Sequence, residues 1–142
     1  MKHDPFGNLT DWGPVLDIVA ELAEKGDLSG CQPGLIRILR HKGNWRLREE
    51  VLKHIGQIQN PSNELLRQVL AILDDDNLYY DARILAGSAL VQLMRHVRTD
   101  EEAAITGQAR KVIAKLVSTP QPPFFNRALK DLSVAVGCTA PA

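Results

Sequence analysis

The sequence predicts an all-α chain, a short solenoid of antiparallel helix pairs with about seven helices in a single domain over residues 1–142. Three observations predict it. Apolar residues recur at helical spacing along nearly the whole chain, and no segment shows the sustained alternation of a half-buried strand. Glycine, proline and asparagine interrupt that pattern where helix ends are expected. One stretch repeats itself at a constant offset, the signature of a stacked array.

The first helix is expected over about Trp12–Lys25, with Asp11 as its N-cap, Val15, Val19 and Leu22 on one face, and Gly26 as the closing residue. The second lies within 33–42, carries Leu35, Ile38 and Leu39, and stops at Gly43. The third follows Asn44 and buries Leu47, Val51, Ile55 and Ile58 before Asn60-Pro61 breaks it. The fourth follows Ser62 and buries Leu66, Val69, Leu70 and Leu73. The fifth is expected from Leu78 to Arg98, with Ala82, Ala86, Leu90 and Leu93 inside. The sixth opens with Thr99-Asp100-Glu101-Glu102, a pattern in which Thr99 and Glu102 satisfy each other's backbone amides. Its face is Ile105, Ala109, Val112, Ile113 and Leu116. After Pro120-Gln121-Pro122-Pro123, a last helix within 122–137 presents Phe125, Leu129, Leu132 and Val136 and ends at Gly137.

The self-similar stretch begins at Trp45 and returns at Tyr80, an offset of 35 residues. Aromatic meets aromatic, Arg48 meets Arg83, and the apolar positions match through Ile58 and Leu93. The partner helices match with an offset of 43, Leu66 onto Ala109 and Leu73 onto Leu116. The extra eight residues fall in the turn from Arg95 to Ile105.

These two first helices resemble the first helix of HEAT repeats of the phycobilisome-lyase type, within the armadillo-like α-solenoids. Leu47-Arg48, Val51-Leu52, Ile55-Gly56 and Ile58 follow its pattern, as do Ala82-Arg83, Ala86-Gly87, Ala89-Leu90 and Leu93. His54 departs from it at a position where a small residue is usual, and Val91 replaces a glycine. The clear repeats span 44–117, and helices at 12–25, 33–42 and 122–137 cap them. The resemblance implies a short right-handed α-solenoid. It gives Arg48 and Arg83 the role of bracing neighbouring repeats; the self-alignment itself adds Trp45 and Tyr80 as matched repeat aromatics. The resemblance also implies that the second helix of each pair lines the binding surface.

Composition narrows the function classes. Hydrophobic residues make up 44% and charged residues 24%, and Lys+Arg and Asp+Glu number 17 each. That balance describes an ordinary folded domain, neither a disordered tail nor a polyanion-binding module. The longest apolar stretch, Val15 to Ala23, is interrupted by Asp17 and Glu21, so no membrane span is expected. The start lacks the apolar region of a secretory signal, and a cytoplasmic location is expected. Cys31 and Cys138 lack zinc-site spacing and are expected as free thiols. His3, His41, His54 and His96 are scattered, and neither GxSxG nor a Gly-rich phosphate loop occurs. The reading is therefore no enzyme, no cofactor and no metal.

The basic turn Arg40-His41-Lys42 stands one period before the acidic turn Asp74-Asp75-Asp76, so an inter-repeat ion-pair ladder is expected between them. Trp45 among the cations of Arg37 to Arg48 has the composition of a weak nucleic-acid patch, but the neutral total and nearby aspartates argue against it. Outward positions on the second helices, Arg37, Arg40, Glu64, Arg67, Gln68, Arg110 and Lys111, are the candidate partner-binding residues. Trp12 and Phe124, if exposed at the ends, would mark docking to another chain. The leading functional expectation is a noncatalytic scaffold or adaptor that binds another protein. Family analogy adds a lyase-like or chaperone subunit acting on a bilin or other prosthetic group, and a nucleic-acid-binding module comes third.

Overall fold

The computed structural model describes residues 4–95 and 103–136. Among them are seven α-helices, two short 3-10 turns and no strand. The helices are α1 (Trp12–Lys25), α2 (Gln32–Arg40), α3 (Trp45–His54), α4 (Asn63–Asp74), α5 (Tyr80–Met94), α6 (Ala103–Val117) and α7 (Pro123–Ala135).

Packing sorts the helices into two layers. In one, α1 meets α3, α3 meets α5 and α5 meets α7; in the other, α2 meets α4 and α4 meets α6. The layers join through α2 on α3, α4 on α5 and α6 on α7. The apolar face of each helix points between the layers, which is where an amphipathic helix gains its stability. Leu35, Leu47, Leu66, Leu90 and Phe125 are all at most 1% exposed. Fully burying one such side chain contributes roughly 1.5–3 kcal/mol.

Local chemistry sets most of the helix ends. Asn44 Oδ1 accepts from the amides of Arg46 and Leu47 at 2.9 and 3.4 Å, and Ser62 Oγ accepts from Leu65 at 3.1 Å. Gly26 takes φ 73°, and the Asp27 amide turns back onto the Leu22 carbonyl at 2.9 Å, the closure that a left-handed glycine permits. Asp11 departs from expectation, since its side chain makes no capping bond to α1. The preceding turn is held instead through Asn8 Oδ1, which accepts from the Thr10 amide and hydroxyl.

Three boundaries also differ from the periodic reading. Helix α2 ends at Arg40, before Gly43, and leaves His41 extended with its carbonyl turned to a side-chain donor. Helix α3 ends at His54 and tightens into a 3-10 turn, Ile55–Gln57, which still buries Ile55 and Ile58. Helix α5 begins at Tyr80 because Asp75 closes a turn first, its carboxylate accepting from Asn77 and its carbonyl from Leu78. His3, His96, the Thr99 to Glu102 capping pattern, most of the Arg95 to Ile105 turn, Gly137 and Cys138 lie outside the described residues.

The chain before α1 is part of the core, which apolar periodicity did not show. Phe6 and Leu9 are 3% and 5% exposed, and a Cβ on Gly34 would lie 2.7 Å from the Phe6 ring. Phe6 thus lies on α2 at a place where any side chain larger than hydrogen would collide with it.

Candidate binding face

The repeat arginines hold the layers together. Arg48 and Arg83 are 5% and 2% exposed. Arg48 Nε donates to the His41 carbonyl just past α2, and Arg83 Nε donates to the Leu73 carbonyl in the last turn of α4. Each guanidinium thus meets the negative end of a helix from the other layer. Aromatic rings cover both. The Arg48 guanidinium lies 4.2 Å from the Trp45 ring centroid, and that of Arg83 lies 4.6 Å from Phe125 and 5.4 Å from Tyr80. Burial pulls the Arg48 pKa below the usual arginine value, with the nearby Asp75 charge acting the other way. Beside it, Tyr79 packs edge-on against Trp45 and donates its hydroxyl to Glu49. Burial first, then that carboxylate, raise the Tyr79 pKa.

The expected ladder between Arg40-His41-Lys42 and Asp74-Asp75-Asp76 is not formed; among the described residues no ion pair joins those turns. Arg40 instead reaches across to α4, donating to Gln68 at 2.9 Å and lying 3.6 Å from Glu64. Asp74 meets Lys115 of α6 at 2.5 Å. The charges do connect successive helices of one layer, but each turn pairs forward onto the next helix, Arg40 at the end of α2 with α4 and Asp74 at the end of α4 with α6.

The outward residues of α2, α4 and α6 share one face. These helices carry six cations, Arg37, Arg40, Arg67, Arg110, Lys111 and Lys115, against two acids, Glu64 and Asp74. The whole chain is neutral, so the layer holds a positive surplus that other segments balance. Several of these cations are already engaged. Arg37 donates through Nε and Nη2 to the two carboxylate oxygens of Asp4 at 2.6 and 2.9 Å, and also to the Gly7 carbonyl at 2.8 Å. The Arg37 bonds hold the Asp4 carboxyl below its ordinary pKa, and the Asp4 carboxylate raises that of Arg37. Arg110 caps the end of α7 through two bonds to the Val136 carbonyl, at 3.1 and 2.8 Å.

Arg67 and Lys111 differ from the rest. Both are exposed, and among the described residues neither makes a hydrogen bond or ion pair. They border a groove of about 320 Å³ between α4 and α6, together with Leu70, Ala71, Asp74, Gln108 and Val112. Of the proposed partner-binding residues, the structure therefore brings Arg67 and Lys111 to one groove, places Arg40 and Gln68 in a contact between α2 and α4, and uses Arg37 to hold the segment before α1 and Arg110 to cap the end of α7. Trp12 is 42% exposed with Arg46 over its ring, and Phe124 is 55% exposed beside Tyr80.

The partner of a candidate residue that the sequence reading missed is Asp4, which engages Arg37. The string Asp4-Pro5-Phe6 has no periodicity, and only the acid and aromatic two residues apart hinted that it could dock. Among the described residues, no three His, Cys, Asp or Glu side chains are grouped to hold a metal ion, and no helix is long and apolar enough to cross a membrane. His54 contacts Glu50 at 2.9 Å, a local pair one helical turn apart. The Cys31 thiol is buried against the Leu28 carbonyl, 3.3 Å away. No family model, curated protein or solved structure matches the chain.

Proposed function

We propose that the chain is a noncatalytic protein–protein interaction scaffold, a short right-handed α-solenoid of HEAT-like repeats that works in the cytoplasm and docks another protein through the layer formed by α2, α4 and α6. The observation that carries this reading is the charge segregation: six cations against two acids on that layer of a neutral chain, with Arg67 and Lys111 uncommitted. The anchoring of Arg48 and Arg83 supports the repeat assignment, since these two residues at the same place in both units each donate to a carbonyl at the C-terminal end of the preceding helix, His41 just past α2 and Leu73 in the last turn of α4. Stacked repeats of this kind create extended surfaces without needing a catalytic pocket.

Affinity capture from the native cell with the full chain tests the reading. A specific protein partner, retained through washes and recovered in proportion to bait, is the expected result. Capture that returns no partner above an inert helical bait overturns it.

A further inference from the structure

We infer that the groove between α4 and α6 binds a short acidic peptide segment of a partner, with carboxylates on Arg67 and Lys111 and an apolar side chain on the floor made by Leu70, Ala71 and Val112. This rests on the interaction-scaffold reading and names the chemistry of its partner.

Charge complementarity supplies the first argument. Arg67 and Lys111 stand on adjacent helices and border one groove, and neither has a carboxylate of its own. The acid in that groove, Asp74, is occupied by Lys115. An incoming carboxylate meets two cations with no internal competitor. The apolar floor between them, with Ala71 exposed and Val112 half-buried, favours a ligand that also brings an apolar group.

The second argument is a precedent within the chain. On the neighbouring helix of the same layer, Asp4 is held by both Nε and Nη2 of Arg37, while Phe6, two residues on, is buried against Gly34. Residues 4–7 therefore already dock on α2 as an acid followed by an apolar ring. The α4–α6 groove offers the same pairing of cation and apolar surface with nothing in it from the described chain.

A nucleic acid fits less well. Arg37, Arg40 and Lys115 are paired with Asp4, Glu64 and Asp74, and Arg110 is bonded to a carbonyl. Two free cations correspond to a salt slope of only about −2, too small for useful affinity to a duplex near physiological salt.

The test is a fluorescence-polarisation titration of the full chain with the labelled peptide Gly-Ser-Asp-Phe-Glu-Leu-Asp-Gly. Saturable binding is expected, with amide shifts concentrated on α4 and α6. The charge reversal R67E/K111E, at two exposed positions, is expected to weaken it by about tenfold. The milder R67Q/K111Q pair serves if the reversal does not fold, and is expected to weaken binding by a smaller factor. A peptide with Phe and Leu replaced by Gly, and one with the acids replaced by Lys, should both lose binding.

No saturable binding of the acidic peptide, affinity unchanged in the variants, or equal binding by the glycine peptide overturns the inference. So does a duplex oligonucleotide that displaces the peptide. The two proposals fail separately. A captured partner that is retained by R67E/K111E leaves the scaffold role and removes this site, whereas peptide binding without a captured partner does the reverse.

Discussion

Arg83 Nε donates to the Leu73 carbonyl at 2.9 Å, joining the first turn of α5 to the last turn of α4 beneath the ring of Phe125. The bond places a cation at the negative end of α4 while the aromatic rings fill the space around it. The R83A variant is expected to cost about 2–4 kcal/mol, from the cavity beside Phe125 and the lost bond to Leu73. R83M is expected to cost less, because methionine refills the volume and no charge is desolvated. Urea unfolding of both variants checks the order; equal losses for R83M and R83A would show that the guanidinium and its bond, more than the filled volume, stabilise the joint.

The helix caps should differ in strength according to the bonds they make. N44A removes two acceptor contacts to the start of α3 and S62A removes one to α4, each expected to cost about 1 kcal/mol. D11A removes none, and its expected effect lies within about 0.5 kcal/mol. Thermal or urea unfolding of the three single variants decides, and equal losses would contradict the assignment of caps.

The clamp between Asp4 and Arg37 should depend on acid. The Arg37 bonds hold the Asp4 carboxyl below its ordinary value of 3.8, so the folded state binds that proton less readily than the unfolded one. The stabilisation is then fully present above the ordinary value and disappears as pH falls through the lowered one. Protection of the amides in residues 4–10, measured against the intrinsic exchange rate at each pH, should fall across that window, and R37M should abolish this change in protection. G34A should release the same segment at neutral pH, because its Cβ meets the Phe6 ring. Unchanged exchange in G34A would mean that α2 can shift to make room.

Cys31 should be a poor nucleophile in the folded chain. Burial, followed by the charges of Asp4 and Asp27, pushes its thiol up to about 11 from 9.0. The folded state keeps the proton longer than the unfolded one, so this contribution to stability is present below pH 9.0 and is lost as pH rises towards about 11. In a C138S background the remaining thiol should react with a disulfide reagent at pH 8 at least tenfold (roughly) faster in denaturant than in buffer, since both access and thiolate fraction increase. Comparable rates in the two conditions would place Cys31 at the surface.

Much of the helical order was legible because it is written locally. Asn44, Ser62 and Gly26 close helices through neighbours within five residues, and the faces of Leu35, Leu66 and Phe125 follow from spacing alone. Where a helix end depends on a remote partner, the local reading missed. The sequence pattern carried α3 on to Ile58, whereas Gly56 in the 3-10 turn approaches Gln92 of α5 so closely that a Cβ there would collide with it.

The candidate binding face shows the same division more sharply. Arg37, Arg40, Arg67 and Lys111 all read as outward cations on amphipathic helices. Their different roles depend on what stands opposite: Asp4 is 33 residues from Arg37 in sequence, and Gln68 is 28 from Arg40.

By itself, then, the sequence determined that the chain is helical, which faces turn inward, and that the units at Trp45 and Tyr80 are alike. Only the tertiary structure decided which cations are neutralised, that Arg110 caps α7 and that the segment before α1 is clamped to α2. Periodicity and capping act over a few residues along one helix, whereas a charge takes whichever partner the packing of distant segments brings within hydrogen-bond reach.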